Sequence, residues 1–344
     1  MADAAFLPLH TGRLTLRAFT PADAPIFAAY RNDPEVARYQ DWALPVSHCD
    51  AEAFIAEQRS VTGPELGAWV QLAVEHAGEL AGDLAVHLDD TGELATIGYT
   101  LRSDHQGRGF AREAVSALVD ALLEHAGVHR IAATMDPRNI ASARLLEDLG
   151  FRYEGQAKAA ALVRGAWEDD DRYALLRADR QDWLARPTCR ARSVHLVEIT
   201  RDNLRAVCEL ATHHSQERFV STVPDSFRDA LFPGIVNGAK VIPWLRAIAD
   251  GPELAGFLML AEATIAHPEP YLWRLLIDRR HQRRSIGSQA LAILFDKLRA
   301  DGHSRIRVSW VDGPGSPRPF YQRLGFVPTG KIIDGEVEAT CQLT

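Results

Sequence analysis

Two stretches of the chain carry the same chemistry-bearing pattern. His105-Gln106-Gly107-Arg108-Gly109-Phe110-Ala111 follows an apolar strand-like run (Ile97, Tyr99, Leu101), and His281-Gln282-Arg283-Arg284-Ser285-Ile286-Gly287 follows Leu275-Leu276-Ile277; each then opens a helix. A glycine-rich turn between a strand and a helix lets successive backbone N–H groups point into one concavity. The helix N-terminus adds roughly half a positive charge, so such a turn suits a pyrophosphate. A dinucleotide site needs G-x-G-x-x-G with an acidic residue about 20 positions on, and an ATP loop needs Lys-Ser/Thr after its last glycine. Neither fits. The pattern present is Gln/Arg-x-x-Gly-x-Gly/Ala, filled by Gln106, Gly109 and Ala111 in the first copy. In the second copy Ser285 replaces the first glycine. Its Cβ opposes a positive φ at a cost on the order of 1 kcal/mol, while its hydroxyl offers a donor.

The elements that must position these loops follow from periodicity. Arg13 to Arg17 alternates as a first strand, and helices carrying Ile26, Phe27 and Tyr30, then Val36, then Ala51, Phe54 and Ile55 come next. Strands over 68–74, 80–88 and 94–101 form a meander leading into the first loop. The helix after it repeats Ala114, Val115, Leu118, Val119, Leu122 and Leu123, one continuous buried stripe. A strand over 129–135, a helix over 139–149 stopped by Gly150 and a hairpin closing at Leu176 complete this half. Residues 186–193, with a proline, three arginines and no apolar period, read as a linker. The order then restarts: a strand over 194–199, a helix with Leu204, Val207 and Leu210, strands over 244–249, 256–261 and 271–277, and a helix with Ala290, Leu291, Leu294 and Leu298. A strand over 306–310, a helix ending at Leu324-Gly325-Phe326 and a hairpin around Asp334-Gly335-Glu336 follow.

Landmarks repeat at nearly constant offset. Thr20 and Thr200 are 180 apart, Gln106 and Gln282 are 176, and Leu149-Gly150-Phe151 and Leu324-Gly325-Phe326 are 175. The spacing predicts two related units, 1–185 and 194–344, too long for a solenoid repeat. A length of 344 residues agrees with two domains. Four cysteines without a CxxC or Cys/His cluster argue against a disulfide framework and a structural zinc, so no metal is expected. With no basic-then-apolar leader and no run of 18 apolar residues, the expectation is a soluble cytoplasmic protein with no membrane partner. Residues 1–185 hold 17 Lys+Arg against 29 Asp+Glu, and the remainder 21 against 17. The first half therefore repels the phosphate backbones of nucleic acid and favours a cationic partner, the alternative being a solvated acidic surface that aids solubility.

With loop, meander and Leu-Gly-Phe helix in hand, both halves resemble the GNAT superfamily of N-acetyltransferases. The resemblance implies an α+β fold in each half: a mixed, largely antiparallel sheet with helices on both faces. It also implies acetyl-CoA as donor and a primary amine as acceptor. The first half is most similar to the branch containing ribosomal-protein N-terminal acetyltransferases, through Asn32 to Val36, Arg38-Tyr39 with Trp42, the loop, Asn139-x-x-Ser142, and Trp167 followed by acids. There Asn139 would orient the cofactor arm and Ser142 would donate to the departing thiolate; a spacing of three puts both on one helix face. An N-cap is the structural alternative for Asn139, and a surface serine for Ser142.

The second half resembles the polyamine and diamine acetyltransferase branch, through Gln216 to Val220, Trp273-Arg274 and Asp312 to Phe326. Tyr321 stands where that branch places its general acid, and a phenol can donate to a thiolate. A core tyrosine is its structural alternative. Leu146 occupies the corresponding place in the first half, so each half carries one of the two acids. The resemblance assigns the pyrophosphate to Gln106, Gly107, Arg108, Gly109, Phe110 and Ala111, and to Gln282, Arg283, Arg284, Ser285, Ile286 and Gly287. Backbone near Tyr99 to Leu101 and Leu275 to Ile277 would hold the pantetheine and polarise the thioester. Glu93, Glu75 or an acidic residue reached through water in the first half, and Glu262 in the second, are open as bases. The expectation is direct acetyl transfer without a covalent enzyme intermediate, with the first half the better catalyst because its loop is intact. An acyl-CoA sensor, or a second half acting as a structural lid, stays open, as do acceptor identity and monomer or homodimer.

Overall fold

The computed structural model describes residues 6–343, and the chain divides into two compact units, Met1–Ala185 and Arg186–Thr344. The first runs β1 (Leu9–His10), β2 (Leu14–Arg17), α1 (Ala24–Arg31), α2 (Pro34–Ala37), α3 (His48–Gln58), β3 (Trp69–His76), β4 (Glu79–Leu88), β5 (Leu94–Leu101), α4 (Phe110–Glu124), β6 (Arg130–Met135), α5 (Ile140–Leu149), β7 (Arg152–Val163), β8 (Ala166–Leu176) and α6 (Arg177–Ala185). Its strands form one sheet in the order β1-β2-β3-β4-β5-β6-β8-β7. Only β5 and β6 run parallel.

The helices cover both faces because the strands alternate. Leu72, Leu84, Ile97 and Ile131 face α4 and α5 in one core, with Val115, Leu118, Leu122 and Leu146 opposite them. Phe19, Phe27, Tyr30 and Ile55 form the other core against Ala73 and Leu80. Each fully buried leucine of the α4 stripe stabilises the unit by about 2 kcal/mol relative to exposure. Truncating Leu118, which is fully buried, to Ala would cost about 3 kcal/mol.

The second unit repeats this plan with β9 (Val194–Val197), α7 (Leu204–Cys208), α8 (Val223–Leu231), β10 (Ile235–Val236), β11 (Ala239–Lys240), β12 (Pro243–Asp250), β13 (Glu253–Ala261), β14 (Tyr271–Ile277), α9 (Ile286–Ala300), β15 (Arg305–Trp310), α10 (Arg318–Arg323), β16 (Val327–Ile333) and β17 (Glu336–Gln342). Its main sheet is ordered β9-β12-β13-β14-β15-β17-β16, the order of β2 to β7 in the first unit, and β14 and β15 are its parallel pair. Leu258, Leu272, Leu291 and Trp310 pack on the α9 and α10 side, and Val207, Phe257, Met259 and Leu276 on the α7 and α8 side. Each unit is thus α+β, with helices on both faces of a mixed sheet.

Three segments depart from what the sequence predicts. Helix α6 is strongly polar and is anchored by Trp183, which closes on Gly150, by Arg180, which donates to the Leu149 carbonyl at 2.9 Å, and by Asp179, which pairs with Arg152 at 2.6 Å. A Cβ on Gly150 would lie 2.6 Å from the Trp183 ring, so glycine there serves both the left-handed helix end (φ 98°) and this close approach. Helix α8 and the β10–β11 hairpin fill 223–240, a stretch with no element expected from the sequence although Val223, Phe227 and Ala230 recur at helical spacing. Residues 186–193 belong to the second compact unit: the Ala191 N–H donates to the Arg284 carbonyl (3.0 Å) and Ser193 to Asp250 (3.0 Å). Among the described residues no helix is long and apolar enough to cross a membrane, and no cluster of His, Cys, Asp or Glu could hold a metal. All four cysteines are free.

Candidate active sites

Each site begins where the parallel strand pair comes apart. β5 stays paired with β4 as far as Leu101↔Gly82, but it pairs with β6 only at Leu94, Ala95 and Thr96. The Arg102 N–H bonds to the Ala81 carbonyl, so the alternate residues Ile97, Tyr99 and Leu101 turn their backbone groups into the opening. The same happens in the second unit. β14 pairs with β15 only at Tyr271 and Leu272, and the Asp278 N–H bonds to Ala255, which leaves Leu275 and Ile277 facing the opening. In both units a glutamine closes the strand end: Gln106 donates to the Leu101 carbonyl and Gln282 to the Ile277 carbonyl, each at 3.1 Å.

The loops that follow take the same turn with different residues. Gly107 (φ 70°) and Gly109 (φ 80°) match Arg283 (φ 63°) and Ser285 (φ 64°). The non-glycine pair accepts strain of about 1 kcal/mol per residue, and additional contacts hold it. Arg284 is buried, and its guanidinium donates to the Cys189 carbonyl (2.9 Å) and Asp250 (2.6 Å) and contacts His281 Nδ1 (2.9 Å). The Arg284 side chain therefore braces the loop from beneath and offers the site only its backbone. Arg13 has that bracing role in the first unit, donating to the Arg108 carbonyl (3.0 Å) and pairing with Glu113 (2.6 Å). The Arg108 guanidinium lies 4.6 Å from the Phe110 ring. Phe110 and Ile286 are buried core anchors whose contribution to a ligand is likewise backbone. Gly287 admits Phe320, whose ring would lie 3.2 Å from a Cβ there, whereas Ala111 stands at that place in the first loop.

Beyond the loops the units diverge. In the first, the Tyr99 hydroxyl lies 2.5 Å from Ser142 Oγ, tying the open strand to α5, and Asn139 Oδ1 caps that helix through the Ser142 N–H at 3.1 Å. Burial raises the Tyr99 phenol well above its ordinary value, although its bond to Ser142 opposes this. Leu146 is fully buried in the core. Burial also raises the Asp170 carboxyl; Arg172 opposes this, and the charges of Asp136, Asp171 and Asp41 add to it. That part of the unit is acidic.

In the second unit a cavity of about 760 Å³ runs from Gln282, Ser285 and Gly287 past Leu275 to Tyr321 and Glu336. Tyr321 is fixed by its neighbours, stacked on Trp310 (5.6 Å, 13°) and edge-on to Phe326. No hydrogen bond among the described residues holds its hydroxyl. Burial, with smaller pushes from Tyr271 and Glu336, raises the phenol so that it stays protonated. A bulge in the β13–β14 register sets Trp273 and Arg274 side by side on the α7–α8 face, where Arg274 meets Asp229 (3.3 Å).

None of the three carboxylates considered as bases lines the second unit's cavity or the pocket beside Gly109 in the first. Glu75 is held by Arg17 at 2.5 Å, Glu93 sits at the closed end of β5 where its carbonyl takes the His129 N–H, and Glu262 lies outside the second cavity. Sequence reading missed Glu336, which hides in a hairpin turn, and the paired glycines Gly82 and Gly256. A Cβ on either glycine would come within 2.2 or 2.5 Å of a carbonyl on the facing strand. Lone glycines inside apolar strands were the available signal.

Comparison with known proteins agrees with this architecture. Residues 13–152 match the acetyltransferase (GNAT) domain model and residues 192–326 the acetyltransferase (GNAT) family model. An uncharacterized N-acetyltransferase, p20, of Bacillus licheniformis is 30% identical over 172 residues, covering 50% of this chain and 97% of that protein. The [ribosomal protein uS5]-alanine N-acetyltransferase of Escherichia coli is 37% identical over 87 residues, 25% of this chain and 43% of that protein. Mycobacterium smegmatis RimJ, solved with a CoA-disulfide, is 25% identical over 50% of this chain and 88% of that one, with a TM-score of 0.42. The chain belongs to the GNAT acetyltransferase family and carries two such domains in tandem. It is an acetyltransferase.

Proposed function

We propose that the chain moves an acetyl group from acetyl-CoA to a primary amine by direct attack, and that the second unit's cavity is the principal turnover site. One observation carries this reading: a continuous cavity joins the loop of Gln282 to Gly287 to the unpaired hydroxyl of Tyr321. The residues fit an acyl-CoA. Left-handed turns at Arg283 and Ser285 direct backbone N–H groups outward at the start of α9, and Leu275 and the Ile277 N–H offer a pantetheine amide a strand edge that β15 leaves unpaired. The bound thioester supplies an electrophilic carbonyl carbon and a thiolate leaving group.

The chain's own groups would then act in order. Backbone N–H groups of the open strand edge polarise the thioester oxygen. Tyr321, kept protonated by burial, donates its proton to the departing sulfur. The expectation that the first unit is the better catalyst rested on its glycines, and Arg283 and Ser285 reach the same turn without them. The first unit remains an acyl-CoA binder in this reading, its Ser142 becoming a donor to sulfur once the Tyr99 contact opens. Its acidic part suits a cationic acceptor such as an amine-bearing peptide N-terminus.

Thiol release by the full chain across diamines, amino acids, aminoglycosides and N-terminal peptides tests the reading. Turnover with at least one amine is expected, falling about 100-fold or more in Tyr321→Phe. Tight acetyl-CoA binding with no amine-dependent release would replace it with a sensor.

A further inference from the structure

Neither the loop nor Tyr321 accounts for a carboxylate that lines the second cavity. We propose that Glu336 is the catalytic base of the second unit, seating the ammonium of a cationic acceptor and taking its proton, with Ser309 and Tyr271 holding the carboxylate in place. The proposal rests on the acetyl-transfer reading of this cavity.

The geometry is local and fixed. Asp334 (φ 50°) and Gly335 (φ 83°) form a tight two-residue turn that pairs Ile333 with Glu336 at the mouth of the β16–β17 hairpin. Across β17, the Ser309 hydroxyl donates to Glu336 Oε2, and the Tyr271 hydroxyl lies 2.6 Å from Ser309 Oγ. Tyr271 and Leu272 are the last residues of β14 still paired with β15, so this relay sits where the two strands part. Oε1 of Glu336 has no hydrogen bond among the described residues.

Of the other charged groups lining the cavity, three are engaged elsewhere, while Arg283 and Arg323 belong to the lining as well. Glu217 lies 2.9 Å from His214 Nδ1, Arg218 donates to the Pro314 carbonyl, and Arg274 donates to the Trp273 carbonyl and Asp229. Ser309 of β15 bonds to Glu336, and the Glu336 charge acts on Tyr271 of β14, which also feels Arg274 and Arg307, and on Tyr321 of α10. Arg307 is drawn to Glu269 and Glu338. No cation among the described residues pairs with Glu336, which leaves it for a cationic ligand.

The step balances without a co-reactant. An ammonium proton passes to Glu336, and the freed nitrogen lone pair forms the C–N bond to the thioester carbon. The C–S bond breaks as the tetrahedral oxyanion collapses, and the sulfur takes the Tyr321 proton. The surplus proton on the new amide nitrogen restores the phenol, and the proton on Glu336 leaves to solvent.

The test compares wild type, Glu336→Gln and Ser309→Ala as full chains. With a diamine, Glu336→Gln should lower kcat/KM by about 100-fold and abolish the acidic limb of its pH profile. Acetyl-CoA affinity and unfolding temperature should stay as in wild type. Ser309→Ala should lose about 5- to 10-fold and keep the limb. Calorimetric binding of 1,4-diaminobutane in the presence of CoA should be lost in Glu336→Gln whether or not turnover is measurable. Wild-type turnover and an unaltered pH profile in Glu336→Gln would overturn the proposal. Wild-type amine binding without turnover would instead overturn the acetyl-transfer reading alone.

Discussion

Gly107 and Gly109 in one unit and Arg283 and Ser285 in the other occupy the same left-handed places, yet the two turns are held by different means. The first turn is intrinsically permitted and needs only Arg13, a half-exposed side chain, to tie down the Arg108 carbonyl. The second is strained by about 1 kcal/mol per residue and is held by a buried guanidinium with three partners and by the Ala191 N–H. A loop motif written as glycines describes a backbone conformation, and bracing from outside the motif can enforce that conformation on other residues. Past the loops the contrast reverses. The unit with the strained loop carries a cavity that runs from the loop to an unpaired phenol, while the unit with the relaxed loop has a pocket beside Gly109 and its serine bonded to Tyr99.

This comparison can be broken at its braces. Arg284→Met removes one partner of a buried ion pair and should destabilise the second unit by about 3 kcal/mol, lowering its unfolding transition and not that of the first unit. A single cooperative transition shifted as a whole, or no shift, would contradict separate bracing. Exchanging the loop residues should give smaller, opposite effects. Gly109→Ser should destabilise the first unit by about 1 kcal/mol, and Ser285→Gly should leave the second unchanged or up to about 1 kcal/mol more stable. Calorimetry of both variants reads the sign.

The smallest effect is on pH. Burial works against ionisation of Glu113, but hydrogen bonds from Thr11 and Arg13 outweigh it and hold the carboxyl below the usual glutamate range. A depressed folded-state pKa means the Arg13 clamp is fully present above that range and is lost as pH falls through it. Acetyl-CoA binding by a Tyr321→Phe chain should therefore weaken slightly on acidification, by well under 1 kcal/mol for so exposed a pair, and Glu113→Gln should flatten the change.

Much of the architecture is legible in the chain because it is periodic or marked by turns. The α4 stripe, the two loops, the Leu-Gly-Phe helix ends and the repeat offset all follow from local pattern. What is not legible depends on distant partners. Nothing near Arg284 announces Asp250 and Cys189, and a polar helix such as α6 exists because Trp183 and Arg180 reach back to the end of α5. Tyr321 stands out in the sequence through its place before Leu324-Gly325-Phe326, and the fold sets it in the cavity lining. Glu336 was not, since Asp-Gly-Glu reads as a turn until β15 brings Ser309 against it. Asn139 shows the opposite outcome: its cap on α5 is the structural alternative that the local sequence already offered.

The most direct measurement is amine-dependent thiol release by the full chain carrying Tyr321→Phe, Ser142→Ala or both. If the second cavity is the turnover site, Tyr321→Phe removes about 99% or more of the rate and Ser142→Ala leaves most of it, with the double variant no worse than Tyr321→Phe. Near-complete loss in Ser142→Ala, with full activity in Tyr321→Phe, would contradict the account and return turnover to the first unit.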